Sequence, residues 1–197
     1  MKKLVLLRHG EIEGSGNRYT GVTNARLSER GRGKIVSLAE GLQKERFDGV
    51  ICSPLDRCRD TLQLLGRSEH AIIDERIREI DFGLWENKTF SFIKKQYPQE
   101  VVEWSGGGPK FRFPDGESVG EFQTRVADFA RSLSTMAGER ILIVTHGGVI
   151  RHLICFLLNL PMVNYLYFQI DYGRLVFIDL HSEGGILTGL NRRCIDG

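Results

Sequence analysis

The sequence predicts an α/β protein, a three-layer sandwich in which a mostly parallel sheet is flanked by helices. Short apolar runs alternate along the chain with segments of helical periodicity. Two runs, Leu4–Leu7 and Ile141–Val144, are apolar throughout, as strands buried on both faces are. Each run leads into a histidine followed by glycine, His9 in the first and His146 in the second. Because parallel strands bring their carboxyl ends to one edge of a sheet, we expect the two histidines to meet there.

Length and composition predict one domain over residues 1–197. The hydrophobic fraction of 41% and the charged fraction of 26% are ordinary for a globular protein, and the chain is long enough for a substantial core. The formal net charge of +2 gives no reason to expect nucleic acid or a membrane surface as a partner. We therefore expect neither, and a homodimer is compatible with these values.

The expected location is the cytoplasm. The apolar stretch before Arg8 is too short for a signal peptide, and no apolar run approaches the roughly 20 residues that span a bilayer. The four cysteines show no C-x-x-C spacing, which favours reduced thiols over disulfides or a zinc site.

The first half of the chain alternates strands and helices. The strand at Leu4–Leu7 is followed by a loop over residues 11–33, in which Tyr19-Thr20-Gly21 could turn back over the site. Helical spacing starts after the candidate cap Ser28 and continues through Phe47. A short strand, Val50–Cys52, leads to Ser53-Pro54, which predicts a helix capped by Ser53 with Pro54 first. Arg57 would then lie in a first helical turn, where backbone N–H groups favour an anion.

The second half continues the alternation. Residues 71–73 predict a strand, residues 89–104 a helical pair interrupted at Pro98, and residues 106–114 a long mobile loop. We expect residues 84–115 to form a helical and loop insertion that covers the active site. Ser118 and Glu121 form a capping box before a helix, residues 147–160 predict a buried helix, and residues 174–191 predict two strands joined at 183–185.

The spacing of the residues argues against several kinds of site. A zinc site needs HExxH or closely spaced His and Cys ligands, and the remaining histidines lie in unrelated elements. A cysteine phosphatase needs an arginine six positions after its cysteine, whereas the sixth position after Cys52 is Cys58. Neither a Walker loop nor a G-x-S-x-G elbow is present.

An anion pocket with a histidine nucleophile remains. Arg8 and Arg57 can bind phosphate oxygens in bidentate fashion, and their charge would keep His9 neutral and nucleophilic near pH 7. His146 would stabilise charge on the transferring phosphoryl group. An alkoxide leaving group then needs a proton from a carboxylic acid nearby.

These residues form motifs that resemble the histidine phosphatase superfamily, which includes phosphoglycerate mutases and many small phosphatases. The motifs occur in order along most of the chain: Leu7-Arg8-His9-Gly10-Glu11, Ser53-Pro54-Leu55-x-Arg57-Cys58-x-x-Thr61, Glu79 with Phe82-Gly83-x-Trp85-Glu86, and Thr145-His146-Gly147-Gly148. The resemblance implies a phosphoglycerate mutase-like fold and a phosphoric monoester hydrolase that needs neither metal nor cofactor.

The resemblance also implies roles for single residues. His9 would become phosphorylated, Arg8, Arg57 and His146 would bind the phosphate, and Glu79 would be the proton donor, with Glu11, Asp81 and Glu86 as competing carboxylates. Where many members have an asparagine six positions after the nucleophile, this chain has Ser15, so either Ser15 or Asn17 is the candidate contact. The remaining candidate substrate-binding residues are Tyr19, Thr20, Gly21 and Gly147.

The expected substrate is a small-molecule phosphate ester. Arg18-Tyr19-Thr20-Gly21, Phe82–Glu86, Pro114–Ser118 and Asn191 look most like the alpha-ribazole phosphatases, which act in assembly of the cobalamin nucleotide loop. An aromatic cover would suit a flat benzimidazole base, although the same rings could simply pack the insertion onto the sheet; they are Phe82, Trp85, Phe90, Trp104, Phe111 and Phe113. The alternatives are a broad-specificity or sugar-phosphate phosphatase, a mutase, and a phospho-ligand binder without activity.

Overall fold

One six-stranded sheet forms the centre of the computed structural model. The structure describes residues 1–194, so the last three residues of the predicted domain lie outside it. The strand order is β3-β2-β4-β1-β5-β6, and only β5 runs against its neighbours. The predicted, mostly parallel sheet is thereby confirmed. The strands are β1 (Lys2–Arg8), β2 (Gly49–Cys52), β3 (Ile72–Ile73), β4 (Arg140–Thr145), β5 (Leu175–His181) and β6 (Gly184–Arg192).

Helices cover both faces of this sheet, as the sandwich prediction requires. Helices α1 and α2 pack on one face, and α5 and α6 pack on the other together with the aromatic part of residues 77–113. The helices are α1 (Glu29–Leu42), α2 (Asp56–Leu64), α3 (Phe90–Gln96), α4 (Pro98–Gly107), α5 (Val119–Leu133) and α6 (Gly147–Leu157). No helix in residues 1–194 is long and apolar enough to cross a membrane.

Strand β1 shows why its sequence is apolar at consecutive positions. Leu4 and Leu6 belong to the core under α5 and α6, whereas Val5 and Leu7 belong to the core under α1 and α2. Side chains alternate between the faces of a strand, so a central strand buried on both faces needs apolar residues throughout. The parallel register pairs Arg8 with Thr145, which places the two predicted histidines next to each other in space.

The helix predicted after Ser53 begins two residues later than expected. Leu55 occupies the N-cap position of α2 and makes no side-chain cap hydrogen bond. The prediction of Ser53 as the cap was therefore wrong. Its buried hydroxyl contacts His146 Nε2 at 2.7 Å instead, a long-range partner that local capping rules cannot anticipate.

Two other boundaries differ from the predictions. Helix α1 ends at Leu42 rather than continuing to Phe47. Arg67 donates to the carbonyl oxygens of Leu42 and Glu45, at and just beyond this end. Residues 106–107 belong to α4 rather than to a loop. The loop that follows is anchored by Phe111 and Phe113, which are both buried.

Candidate active site

The two histidines lie side by side where β1 and β4 end. Their ring centroids are 5.1 Å apart and the rings meet edge to face. The His9 backbone N–H donates to the Thr145 carbonyl oxygen at 2.9 Å, which continues the strand pairing by one residue. His9 is 4% exposed and His146 is fully buried. The sheet edge therefore brings the two predicted residues together.

Arg57 joins both histidines from the first turn of α2. Its Nε–H is shared between His9 Nε2 at 3.2 Å and His146 Nδ1 at 3.3 Å. Its terminal nitrogens donate to the carbonyl oxygens of Gly21 and Thr23, so the loop predicted to turn over the site holds this side chain. Arg57 is 1% exposed, which concentrates its charge on the histidine pair.

The hydrogen bonds assign a tautomer to each ring. His9 Nδ1 lies 2.8 Å from the Gly10 carbonyl oxygen, which can only accept, so Nδ1 carries the proton. The lone pair of His9 is then on Nε2, which faces Arg57. His146 accepts from Arg57 at Nδ1 and donates from Nε2 to the Ser53 hydroxyl. His9 thus presents an unprotonated nitrogen to the centre of the site.

Both histidines are held neutral. Burial is the largest cause that lowers the pKa of His9 well below its usual value, and the charges of Arg57 and Arg8 lower it further. Burial, followed by Arg57, likewise lowers the pKa of His146. The predicted direction is confirmed, although desolvation contributes more than the arginine charges that the sequence pointed to.

Arg8 extends from the end of β1 into a cavity beside His9. Its NH1 donates to the Ile170 carbonyl oxygen, and its guanidinium lies 3.6 Å from the centroid of the Tyr172 ring. The same ring lies 5.4 Å from that of His9. Tyr172 therefore covers both residues, a neighbour that no sequence motif indicated.

Among the competing carboxylates, Glu79 is the one that lines this cavity. Its carboxylate accepts from the backbone N–H groups of Gly148 at 3.0 Å and Ile80 at 3.1 Å. Glu11 instead forms an ion pair with Arg30 at 3.0 Å. The geometry thus favours Glu79 as the general acid and base.

Glu86 binds backbone N–H groups of a loop instead of lining the cavity. It accepts from Gly21 N, Val22 N, Phe82 N and both donors of Thr23. These bonds fasten the loop whose carbonyl oxygens hold Arg57. The third competitor, Asp81, accepts from the Gly83 backbone N–H.

An arginine clamp positions the segment that carries Glu79. Arg125 on α5 donates to the carbonyl oxygens of Arg76, Arg78 and Glu79. It also forms an ion pair with the buried Glu117, Nε to Oε1 at 2.7 Å. The clamp ties the acid to a helix rather than leaving it on a free loop.

The cavity beside these residues has a volume of about 360 Å³. Of the predicted substrate-binding residues, Arg8, Tyr19, Thr20, Glu79 and Gly147 line it. Arg57 and His146, like His9, are buried and are not among the lining residues. Gly21 lies behind the wall as a partner of Arg57. Asn17 lines a separate depression with Thr89 and Phe90, and Ser15 lines neither, so a phosphate contact from Ser15 or Asn17 stays a prediction.

The predicted aromatic cover divides into wall and core. Phe82, Trp104 and Phe113 line the cavity. Trp85 and Phe111 are buried in the core behind them, whereas Phe90 is 43% exposed and lines the separate depression. Arg18 and Gly148, which belong to motifs quoted from the sequence, also line the cavity. The cavity wall contains further residues that no motif indicated: Ile80, Val119, Phe122, Arg151, His152, Tyr165, Leu166 and Tyr172.

The arrangement can perform phosphoryl transfer to nitrogen. The neutral His9 imidazole accepts from Arg57 at Nε2, Arg57 also contacts His146, and Arg8 and the Glu79 carboxylate line the adjacent cavity. Within residues 1–194, no group of three or more His, Cys, Asp or Glu side chains is placed to hold a metal ion. The arginines and histidines of the site can supply positioning and charge to a phosphoryl transfer.

The chain is similar to known proteins over nearly its whole length. The family model described as the histidine phosphatase superfamily (branch 1) matches residues 4–193. The chain is 30% identical to an adenosylcobalamin/alpha-ribazole phosphatase of Salmonella typhimurium, over 98% of each chain. It is 29% identical to phosphoserine phosphatase 1 of Hydrogenobacter thermophilus, over 98% of this chain and 94% of the relative. The crystal structure of the alpha-ribazole phosphatase from Shigella flexneri aligns with a TM-score of 0.91 at 30% identity, over 99% of this chain and 98% of that one.

Proposed function

The chain belongs to the histidine phosphatase superfamily and is a phosphoric monoester hydrolase, and we propose that it works through a phosphohistidine at His9. The observation that carries this proposal is the His9 tautomer: Nδ1 donates to the Gly10 carbonyl oxygen and Nε2 is left as a lone pair beside Arg57. A neutral imidazole fixed in this way is a competent nucleophile.

In the first step, His9 Nε2 attacks phosphorus and the ester P–O bond breaks. Arg8, Arg57 and His146 neutralise the charge on the non-bridging oxygens. Glu79 gives a proton to the departing alkoxide oxygen, so that the leaving group departs as a neutral alcohol. The products of this step are a phosphohistidine and a Glu79 carboxylate.

In the second step, Glu79 takes a proton from a water molecule as that water attacks phosphorus. The P–N bond breaks, inorganic phosphate leaves, and His9 regains its lone pair. The Gly148 and Ile80 N–H groups donate to Glu79 and hold its carboxyl group in position between the two steps. Glu79 thus acts as the acid in the first step and as the base in the second.

For the substrate we propose alpha-ribazole 5′-phosphate. Phe82, Trp104 and Phe113 give aromatic walls to the cavity that Arg8 and Glu79 also line, and such walls suit a flat benzimidazole base. The relatives from Salmonella typhimurium and Shigella flexneri, whose names include this activity, support the choice. The reaction would then supply the dephosphorylated nucleoside to cobalamin assembly.

A second candidate is a small phosphate ester that carries a carboxylate, such as phosphoserine. Arg18 and Arg151 line the cavity, and within the described residues neither forms a salt bridge. Two arginines without an ion-pair partner in the cavity wall favour a second negative group on the substrate. A comparison of kcat/KM among alpha-ribazole phosphate, phosphoserine and sugar phosphates decides between the two.

The mechanism is tested by trapping the intermediate. Acid quenching within one turnover of ³²P-labelled substrate should leave acid-labile phosphate on the wild-type protein and none on His9→Ala. His181→Ala, which changes an exposed histidine at the end of β5, is the matched control and should retain the label. A His9→Ala protein that keeps most of its activity would rule the mechanism out.

A further inference from the structure

His152 is a buried histidine that the proposed mechanism does not use. It lies on α6, lines the same cavity as Glu79, and is 4% exposed. Its Nε2 atom is buried and has no hydrogen-bond partner in the described structure. A buried polar atom without a partner is unfavourable and needs an explanation.

The proton on the His152 ring can be assigned. Nδ1 lies 2.9 Å from the Gly148 carbonyl oxygen, one helical turn earlier. Because a carbonyl oxygen only accepts, Nδ1 carries the proton and Nε2 presents a lone pair. Burial lowers the pKa of this ring to about 4, so it remains neutral near pH 7. The unused atom is thus an acceptor.

The position of His152 relates it to the reacting groups. Gly148 accepts from His152 at its carbonyl oxygen and donates to Glu79 Oε2 at its N–H. His152 and the proposed proton donor therefore share one residue of α6. The ring is held by Phe122, with centroids 4.8 Å apart, and by Tyr165 at 4.6 Å. This wall lies on the side of Glu79, the group that serves the leaving alcohol.

We propose that His152 Nε2 accepts a hydrogen bond from a hydroxyl or amino group of the leaving alcohol, so that the enzyme prefers phosphate esters with a second donor. This inference rests on the proposed function and deepens it. Ribose hydroxyls and an amino group beside the ester both satisfy the requirement, whereas a purely apolar alcohol does not. A site with a buried acceptor disfavours a substrate that leaves this acceptor unpaired.

The experiment compares two esters that differ in their donors. The ratio of kcat/KM for glycerol phosphate to that for propyl phosphate should be about tenfold or more in the wild-type enzyme. In His152→Phe, which keeps an aromatic ring and removes the acceptor, the ratio should fall to near one. His181→Phe makes the same chemical change at an exposed histidine at the end of β5, outside the cavity, so its ratio should remain that of the wild type.

Three results would overturn the proposal: a wild-type ratio near one, an unchanged ratio in His152→Phe, or an equal fall in His181→Phe. If His152→Phe is unstable, His152→Leu also lacks the acceptor and takes its place. Hydrolysis of p-nitrophenyl phosphate by the wild-type protein reports on the proposed function without reference to His152. A failure of the function and a failure of the donor preference are therefore distinguishable.

Discussion

Replacing Gly148 with alanine should displace the proposed proton donor without harming the fold. A Cβ at this position would lie 2.4 Å from Glu79 Oε1 and 3.0 Å from its carboxyl carbon. Ordinary contact begins at 3.4 Å, so the carboxylate must retreat by about 1 Å. That movement also breaks or lengthens the 3.0 Å hydrogen bond from the Gly148 N–H to Oε2.

The expected loss follows from this displacement. A misplacement of about 1 Å in a reacting group can reduce the rate by about 100-fold, which corresponds to about 2.7 kcal/mol of transition-state stabilisation. The displaced atoms are at the end of a side chain, and alanine is a better helix former than glycine by up to about 1 kcal/mol. Stability should therefore be unchanged or slightly raised while catalysis falls.

The assay distinguishes a displaced proton donor from general damage to the active site. An alkyl phosphate releases an alkoxide that needs a proton, whereas p-nitrophenyl phosphate releases a stable phenolate. Gly148→Ala should reduce kcat/KM by about 100-fold for the alkyl ester and by less than about tenfold for the nitrophenyl ester. Thermal unfolding should show a Tm at or above that of the wild type.

Gly33→Ala is the matched control. Gly33 lies in α1, and a Cβ there would have nothing within 4 Å, so its kinetics should be those of the wild type. If Gly148→Ala retains the wild-type rate on alkyl esters, Glu79 is not the proton donor in this geometry. Equal losses on both esters would mean that the substitution damages phosphate binding instead.

Three other predictions concern the same site. Glu79→Gln should slow alkyl phosphates far more than p-nitrophenyl phosphate in steady-state kinetics, and equal slowing would move the acid role elsewhere. Glu86→Gln should lower the Tm and raise KM, because the amide nitrogen would face backbone donors that now bind a carboxylate and the loop around Arg57 would loosen; an unchanged KM would argue against that coupling. The free energy of unfolding should fall as pH drops below about 6.5, by about 1.4 kcal/mol per pH unit for each histidine. The reason is that the pKa values of His9, His146 and His152 are lowered in the folded protein, so the unfolded chain binds protons that the folded one does not. For His152 this window extends down to about pH 4, and urea unfolding that gives a flat profile between pH 7.5 and 5 would contradict the neutral assignments.

Much of the fold could be predicted from local sequence patterns. The apolar run of β1 and the capping box of Ser118 are decided by neighbours within a few residues, and the structure confirms both. Motif order also indicated Arg57 at the start of α2 beside the histidines, which the structure bears out. Where a long-range contact competes with a local rule, the local rule fails, as it did for Ser53.

The sequence by itself determined that two strands end in histidines, that arginines accompany them, and that these motifs occur in the order of one superfamily. Only the tertiary structure decided which carboxylate faces the cavity, because Glu79 and Gly148 are 69 positions apart. It also decided that Tyr172 covers Arg8 and that His152 keeps an unpaired acceptor. The physical reason is that local propensity acts over a few residues, whereas desolvation and hydrogen bonding depend on which distant segments the fold packs together.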